Sequence, residues 1–333
     1  MKSLAAAIIA TVAAIVALPA LAQKEVTIAY QDMLDPYRSA QETKALEQAT
    51  GYKINWKQFG GGGEVIKALA SGAVQVGEVG SAGIAAAVSR GEPLELFWIL
   101  DDIGDAEALV AKNGSGINTV ADLKGKKIAT PFNSTSHFHT IVALEQAHVN
   151  PADVQILNMR PPEIRAAWQR GDIQATFIWD PVLTEVKKDG KVITSSVKIS
   201  ASTGKATFDG YVANKDWAKA NHDFMVKFVK LLAASDEKYR ANKAKWTADS
   251  PEVKAVAKWS GAKAENVPAG MALYNFPTMK EQSATWLGGG KNSIAAKAFT
   301  ATADFQKSQK QIEKTLPDYS VVVNPQYVID AMK

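Results

Sequence analysis

From residue 26 to residue 213, short runs rich in Val and Ile trade places with stretches of helical period. Nothing else in the chain constrains its fold so strongly. Candidate strands occupy 26–30, 53–59, 74–79, 94–100, 107–111, 126–130, 154–158, 175–179 and 211–213. Candidate helices fill the intervals 36–50, 62–71, 81–90, 120–124, 136–147, 161–170 and 181–188. A continuous apolar strand is buried on both faces, and strand–helix–strand order puts helices on those faces. The spacing therefore predicts an α/β chain with mainly parallel sheets. After Asn214 the texture becomes helix after helix. Ser250-Pro251 is an N-cap followed by Pro at the first helical position, and Gly261 closes that helix. Others are expected over 278–286, from Asn292 to about 315, and over 325–332.

One boundary is visible. The segment 105–112 ends a first α/β unit, and Lys124-Gly125-Lys126-Lys127 opens a second that runs to Asn214. The helical tail needs a host, and the first unit is the natural one. The expected division is a leader over 1–22, one lobe made of 23–108 and 215–333, and a second lobe over 109–214. Ligands of open α/β sheets sit at the carboxyl ends of the strands, so two facing lobes would surround one cleft with strand-end loops.

Composition narrows the function. With 333 residues, 47% hydrophobic and 22% charged, the chain can bury a sizeable core and is not disordered. Its net charge of +4 is spread along the sequence, without the basic patch that nucleic acid demands. The absence of Cys removes disulfides, thiolate metal sites and cysteine nucleophiles together. The N-terminus carries Lys2, an apolar run over 4–18, Pro19, and Ala20-Leu21-Ala22. That run is shorter than the roughly 20 residues of a spanning helix and fits an export signal cleaved before Gln23. A soluble, exported, disulfide-free protein points to a bacterial periplasm.

The informative residues stand at strand ends. Gly60-Gly61-Gly62-Gly63-Glu64 opens a helix, where free backbone N–H groups can meet an anion or the loop can simply turn. Gly80-Ser81 opens another, with Ser81 an N-cap, a ligand contact, or both. Ser134-Thr135-Ser136-His137 sets three hydroxyls at a third helix entrance, which favours an oxyanion such as sulfonate, phosphonate or carboxylate. Trp179 ends a strand and can wall a small ligand or receive a cation on its face. Asp209, before Tyr211, can pair an ammonium. Asp101 and Asp102, with Asp105 and Glu107 close behind, suit an amine or form a solvated acidic loop. Enzyme readings fare poorly. His137 and His139 diverge on a helix, the aspartates lack EF-hand spacing, and no nucleophile elbow, zincin or dinucleotide motif is present. No metal or cofactor is expected.

Several stretches resemble the nitrate/sulfonate/taurine solute-binding family of bacterial ABC transporters, in its taurine-like branch. They are Val-Thr-Ile-Ala-Tyr-Gln at 26–31, Ala-Leu-Ala-Ser-Gly at 68–72, Val-Gly-Ser at 79–81 and Glu-Ala-Leu-Val at 107–110. Pro-Phe-x-Ser-Thr-Ser-His at 131–137, the run over 161–173, Trp179, Lys-Asp-Gly-Lys-Val at 188–192 and Asp209 complete the set. The resemblance implies a type II periplasmic binding fold: two α/β lobes, a two-strand hinge, a helical C-terminal extension, and closure around one ligand without catalysis. It implies a monomer that docks on a membrane permease driven by ATPase subunits. The sulfonate would lie near Ser81 and Ser134–His137, and the ammonium near Asp209 and Trp179. Tyr30, Gln31 and Glu107 would line the same cleft, with Gly62 beside them. The sequence departs from the family pattern at the all-glycine loop, at Glu78, and at Asp101-Asp102. If Glu64, Glu78, Asp101 and Asp102 faced the cleft, the ligand would instead be a small organic cation, an amine, guanidino or quaternary ammonium compound.

Overall fold

The computed structural model describes residues 23–333. The expected leader lies outside them. The strands are β1 (Glu25–Tyr30), β2 (Lys53–Gln58), β3 (Val76–Gly80), β4 (Leu94–Asp102), β5 (Glu107–Lys112), β6 (Lys127–Thr130), β7 (Gln155–Asn158), β8 (Ala175–Trp179), β9 (Gly190–Ser195) and β10 (Phe208–Asn214). They form two five-stranded sheets, in the orders β2-β1-β3-β10-β4 and β7-β6-β8-β5-β9. The two orders match position for position, so each lobe is built on one plan.

The parallel expectation holds for half of each sheet. β2-β1-β3 and β7-β6-β8 are parallel, while β10 and β5 run antiparallel to both of their neighbours. β10 and β5 are the strands by which the chain enters one lobe after leaving the other, and they arrive from the cleft side. Their sheet membership also corrects the division read from the sequence. Glu107 already belongs to the second sheet, and β10 belongs to the first rather than to the second lobe. The chain crosses at 103–106, and again at 204–207 after the Ser196–Thr203 helix.

Burial explains the elements. β3 and β8 are buried at every residue, and Trp98, Phe97, Tyr211 and Phe228 pack between the first sheet and its helices. Fully burying such a side chain is worth about 1.5–3 kcal/mol. The C-terminal helices clothe the first lobe as expected, with Ile294–Ser308 lying along Ser81–Ser89. The end of Ile294–Ser308 also reaches the second lobe, where Phe305 meets Phe138 edge-on at 5.4 Å between ring centroids.

The consequence for function is geometric. β1 and β3 end at the cleft, as do β6 and β8 from the other side, and β5 and β10 begin there. Tyr30, Gly80, Asp209, Glu107 and Trp179 therefore stand on the facing edges of the two sheets.

Candidate ligand-binding site

Between the lobes lies a small pocket lined by Gln31, Met33, Gly62, Gly80, Glu107, Ser134, Thr135, Trp179 and Asp209, all of them buried. Three helices of nine or more residues begin on it. Gly62–Ala70 starts there, Ser81–Ser89 follows its N-cap Gly80, and Thr135–Gln146 follows its N-cap Ser134. First-turn amides have no carbonyl within their own helix, so this wall offers free N–H groups and three positive dipole ends. Each end favours an anion by about 0.3–1 kcal/mol before hydrogen bonds are counted.

The hydroxyls are largely committed. Ser134 Oγ donates to the Pro131 carbonyl at 2.6 Å and accepts from the His137 N–H at 3.1 Å, a complete cap. Thr135 Oγ1 donates to Glu107 Oε1 at 2.5 Å. Ser81 Oγ accepts from the Phe208 N–H at 3.2 Å, tying this helix to the start of β10. Ser136 Oγ is buried without a protein partner. A bound anion would thus meet chiefly backbone N–H groups.

The opposite wall is acidic. Asp209 is 4% exposed and lines the pocket, and among the described residues no side chain or backbone group hydrogen-bonds its carboxylate. Burial, then Glu107, Glu78 and Asp35, hold its pKa well above the usual carboxylate range. Burial likewise pushes Glu107 up to about 7, against the hydroxyls that bond it. Trp179 closes the end of β8, and its indole Nε1–H donates across the cleft to Asp32 Oδ1 of the first lobe at 2.7 Å. Gln31 is clamped at three points. Its N–H donates to Glu78 Oε1, its Nε2 to the Glu78 carbonyl, and its own carbonyl accepts from Arg38.

Other sequence candidates lie elsewhere. Glu64 is exposed, and its Oε2 accepts from Gly60 N–H at 3.0 Å in a shallow depression outside the cavity. Tyr30 packs edge-on against Trp259 at 5.5 Å. His137 stacks on Phe132 at 4.4 Å, and burial lowers its pKa to about 4, so it is neutral at pH 7. Glu78 does not face the cavity but forms a buried salt bridge with Arg38 at 3.0 Å. Asp101 is fully buried on β4, beside Asp209, and does not line the cavity. Met33 and Gly80 line it without having been singled out. Gly80 was read only as the turn before Ser81, and Met33 carries no signal of its own.

The glycine loop has an unexpected use. A Cβ on Gly60 would fall 2.7 Å from Arg160 Cδ, and one on Gly63 3.1 Å from the Phe132 carbonyl. Across the same seam, a Cβ on Gly83 would fall 2.8 Å from the Asn133 carbonyl, and one on Gly80 2.8 Å from Thr135 Cγ2. Gly63 and Gly83 let backbone of the two lobes approach closely, and Gly60 and Gly80 make room for side chains of the second lobe.

Residues 36–245 match a family model described as the phosphonate periplasmic substrate-binding protein of ABC transporters. The taurine-binding periplasmic protein of Escherichia coli (strain K12) is 36% identical over 303 residues, 91% of this chain and 92% of that protein. A putative aliphatic sulfonates-binding protein of the same organism is 30% identical over 57% of this chain and 59% of that protein. Among solved structures, the alkanesulfonate-binding protein of Xanthomonas axonopodis pv. citri bound to MOPS has a TM-score of 0.72 at 24% identity, over 90% of this chain and 96% of that one. The aliphatic sulphonate-binding protein of Escherichia coli has a TM-score of 0.69 at 23% identity, over 91% and 99%. With two matching lobes, a pocket between them, and these likenesses along most of its length, the chain belongs to the periplasmic substrate-binding proteins of ABC transporters.

Proposed function

We propose that this protein captures taurine, or a closely related small aminoalkyl sulfonate, in the cavity between its lobes and delivers it to the permease of an ABC importer. It works in the periplasm after loss of an export signal, as a monomer, and carries out no chemistry on its ligand. The sulfonate sits against the helix entrances at Gly62, Gly80 and Ser134–Ser136. The ammonium sits against Asp209 with the Trp179 ring beside it.

The observation that carries this reading is the cavity's two-sided polarity: three helix N-termini on one wall, an unpartnered buried carboxylate on the other. A simple anion leaves Asp209 unpaired, and a simple cation leaves the amides unpaired. A zwitterion satisfies both, and leaving either set unpaired costs about 1–3 kcal/mol per group. The anion is also a monoanion. Arg38, the buried arginine nearest by sequence to the cavity-lining Gln31 and Met33, is already spent on Glu78 and Asp35. A phosphate-type group carries about −1.5 to −2 at pH 7 and would meet Asp209 and Glu107 without a counter-charge. The small cavity suits a short ligand.

A thermal-shift series with taurine, longer sulfonates, 2-aminoethylphosphonate, simple amines, guanidino compounds and betaine tests this. Taurine at 100 times its dissociation constant should add about 2.7 kcal/mol to stability, with the phosphonate weaker. A shift with amines or guanidino compounds and none with taurine would replace the sulfonate by an organic cation.

A further inference from the structure

Asp101 belongs to no part of the site described so far. It lies on β4 directly opposite Asp209 of β10 in the antiparallel register. Opposed residues of such a pair project to the same face of the sheet, with Cβ atoms about 4.5–5.5 Å apart. On the other side of Asp209 stands Gly80, which has no side chain. The Asp209 carboxyl spreads over that gap, 3.1 Å from where a Gly80 Cβ would be, and so reaches the cavity. Asp101 is sealed behind it at 0% exposure, and among the described residues neither of its carboxyl oxygens has a hydrogen-bond partner.

We propose that Asp101 and Asp209 form a carboxyl pair that keeps one shared proton at neutral pH, so that the cavity presents one negative charge and is matched to a ligand with a single cationic group. Two adjacent carboxylates in a low-dielectric site cannot both ionise without a cation. None faces this pair. The charged groups around it are Glu107 on β5, Glu78 on β3, Asp102 on β4, and Asp35 in the loop after β1, with the Tyr274 hydroxyl nearby. Arg38 is held by Glu78 and Asp35. Burial and these neighbours raise both aspartates together. Asp101 is thus a positioning residue: it acts on the ligand through the proton it keeps, and on Asp209 through the charge it does not carry.

The ligand half of this inference rests on the amino-sulfonate reading, so the experiment has two arms. The first needs no ligand. Protein labelled with carboxyl-¹³C aspartate is titrated by NMR, with Asp101→Asn and Asp209→Asn assigning the two signals. One of the pair should stay protonated past pH 7 in the wild type, so that the two signals show a step above pH 7, and in Asp101→Asn Asp209 should titrate in a single step with the high one gone. If both ionise below pH 5 in the wild type, or if a step above pH 7 survives unchanged in Asp101→Asn, the proposal is overturned. The second arm measures taurine affinity against pH. Asp101→Asn should bind within about threefold of wild type at pH 7.5, and should lack the change in affinity that loss of the shared proton gives the wild type at higher pH. A loss beyond tenfold at pH 7.5 would mean that Asp101 is an ionised ligand contact, which also overturns it. If wild-type protein ignores taurine, the amino-sulfonate reading fails while the first arm still decides the pair.

Discussion

At the residue scale the site turns on which carboxylates are free. Glu64, Glu78, Asp101, Asp102, Asp105, Glu107 and Asp209 all stand near strand ends, and sequence alone treats them alike. The structure separates them by partner: Glu78 has Arg38, Glu64 has the Gly60 N–H, Glu107 has Thr135, and Asp209 has none among the described residues. Removing the charge of Asp209 should therefore be severe. Asp209→Asn is expected to weaken taurine binding at least 100-fold by calorimetry, the scale of about 3 kcal/mol for losing a buried charge partner. Glu64→Gln should leave affinity within twofold, because Glu64 is exposed and outside the cavity. Equal losses in both variants would place the ammonium elsewhere. The acidic substitutions that suggested a cationic ligand were visible in the sequence, but their pairings were not. Glu78 and Arg38 are 40 positions apart, and no local pattern announces a buried salt bridge of that span.

At the element scale the lobes meet through helices that begin with glycine. Gly83 lies in the first turn of Ser81–Ser89, a helical position where alanine is otherwise preferred by about 0.5–1 kcal/mol. Its missing Cβ is the space taken by the Asn133 carbonyl of the other lobe. Gly83→Ala should prop the lobes apart. Taurine affinity is expected to fall about tenfold, the low end of overpacking costs of about 1–3 kcal/mol, while the unliganded protein keeps or gains thermal stability. A fall in both would mean that Gly83 serves only the fold of its own lobe. Helix entrances and most strands were legible because their signals are local: apolar runs, caps and breakers. Three features were not. β9 is an edge strand with Lys191 and Val192 exposed, and it is missing from the candidate strands because it lacks a buried apolar run. The expected helix over 36–50 is broken in two, with Lys44 at a φ of 55° between Arg38–Glu42 and Ala45–Thr50. The antiparallel entry of β5 and β10 is a property of chain path between lobes, which strand composition does not encode.

At the scale of the whole molecule, ligand binding, closure and protonation share the same residues. The Trp179–Asp32 bond and the glycine seam hold the lobes together around the buried pocket residues. Closing without a ligand buries acidic groups that gain no counter-charge. Burial holds Asp35 and Glu107 up at about 7 and Asp32 at about 6 in the folded protein, against roughly 4 when unfolded. A carboxyl raised by folding stabilises the protein fully below its unfolded pKa, and that contribution is lost as pH rises through the folded value. His137 and His139 act in the opposite sense. Burial lowers both to about 4, so they favour the folded state above pH 6.5 and weaken it on acidification. Between pH 5 and 8 the raised carboxyls outnumber these two histidines, since Asp101 and Asp209 join the three above. The unliganded protein should therefore melt at least about 5 °C lower at pH 8 than at pH 5 by calorimetry, on the usual scale for a chain of this size. Saturating taurine should reduce that difference, because its ammonium supplies the charge that the cavity lacks. A ligand-free melting temperature that rises from pH 5 to pH 8 would show that the acidic wall is ionised and solvated in solution, with the lobes standing open before the ligand arrives.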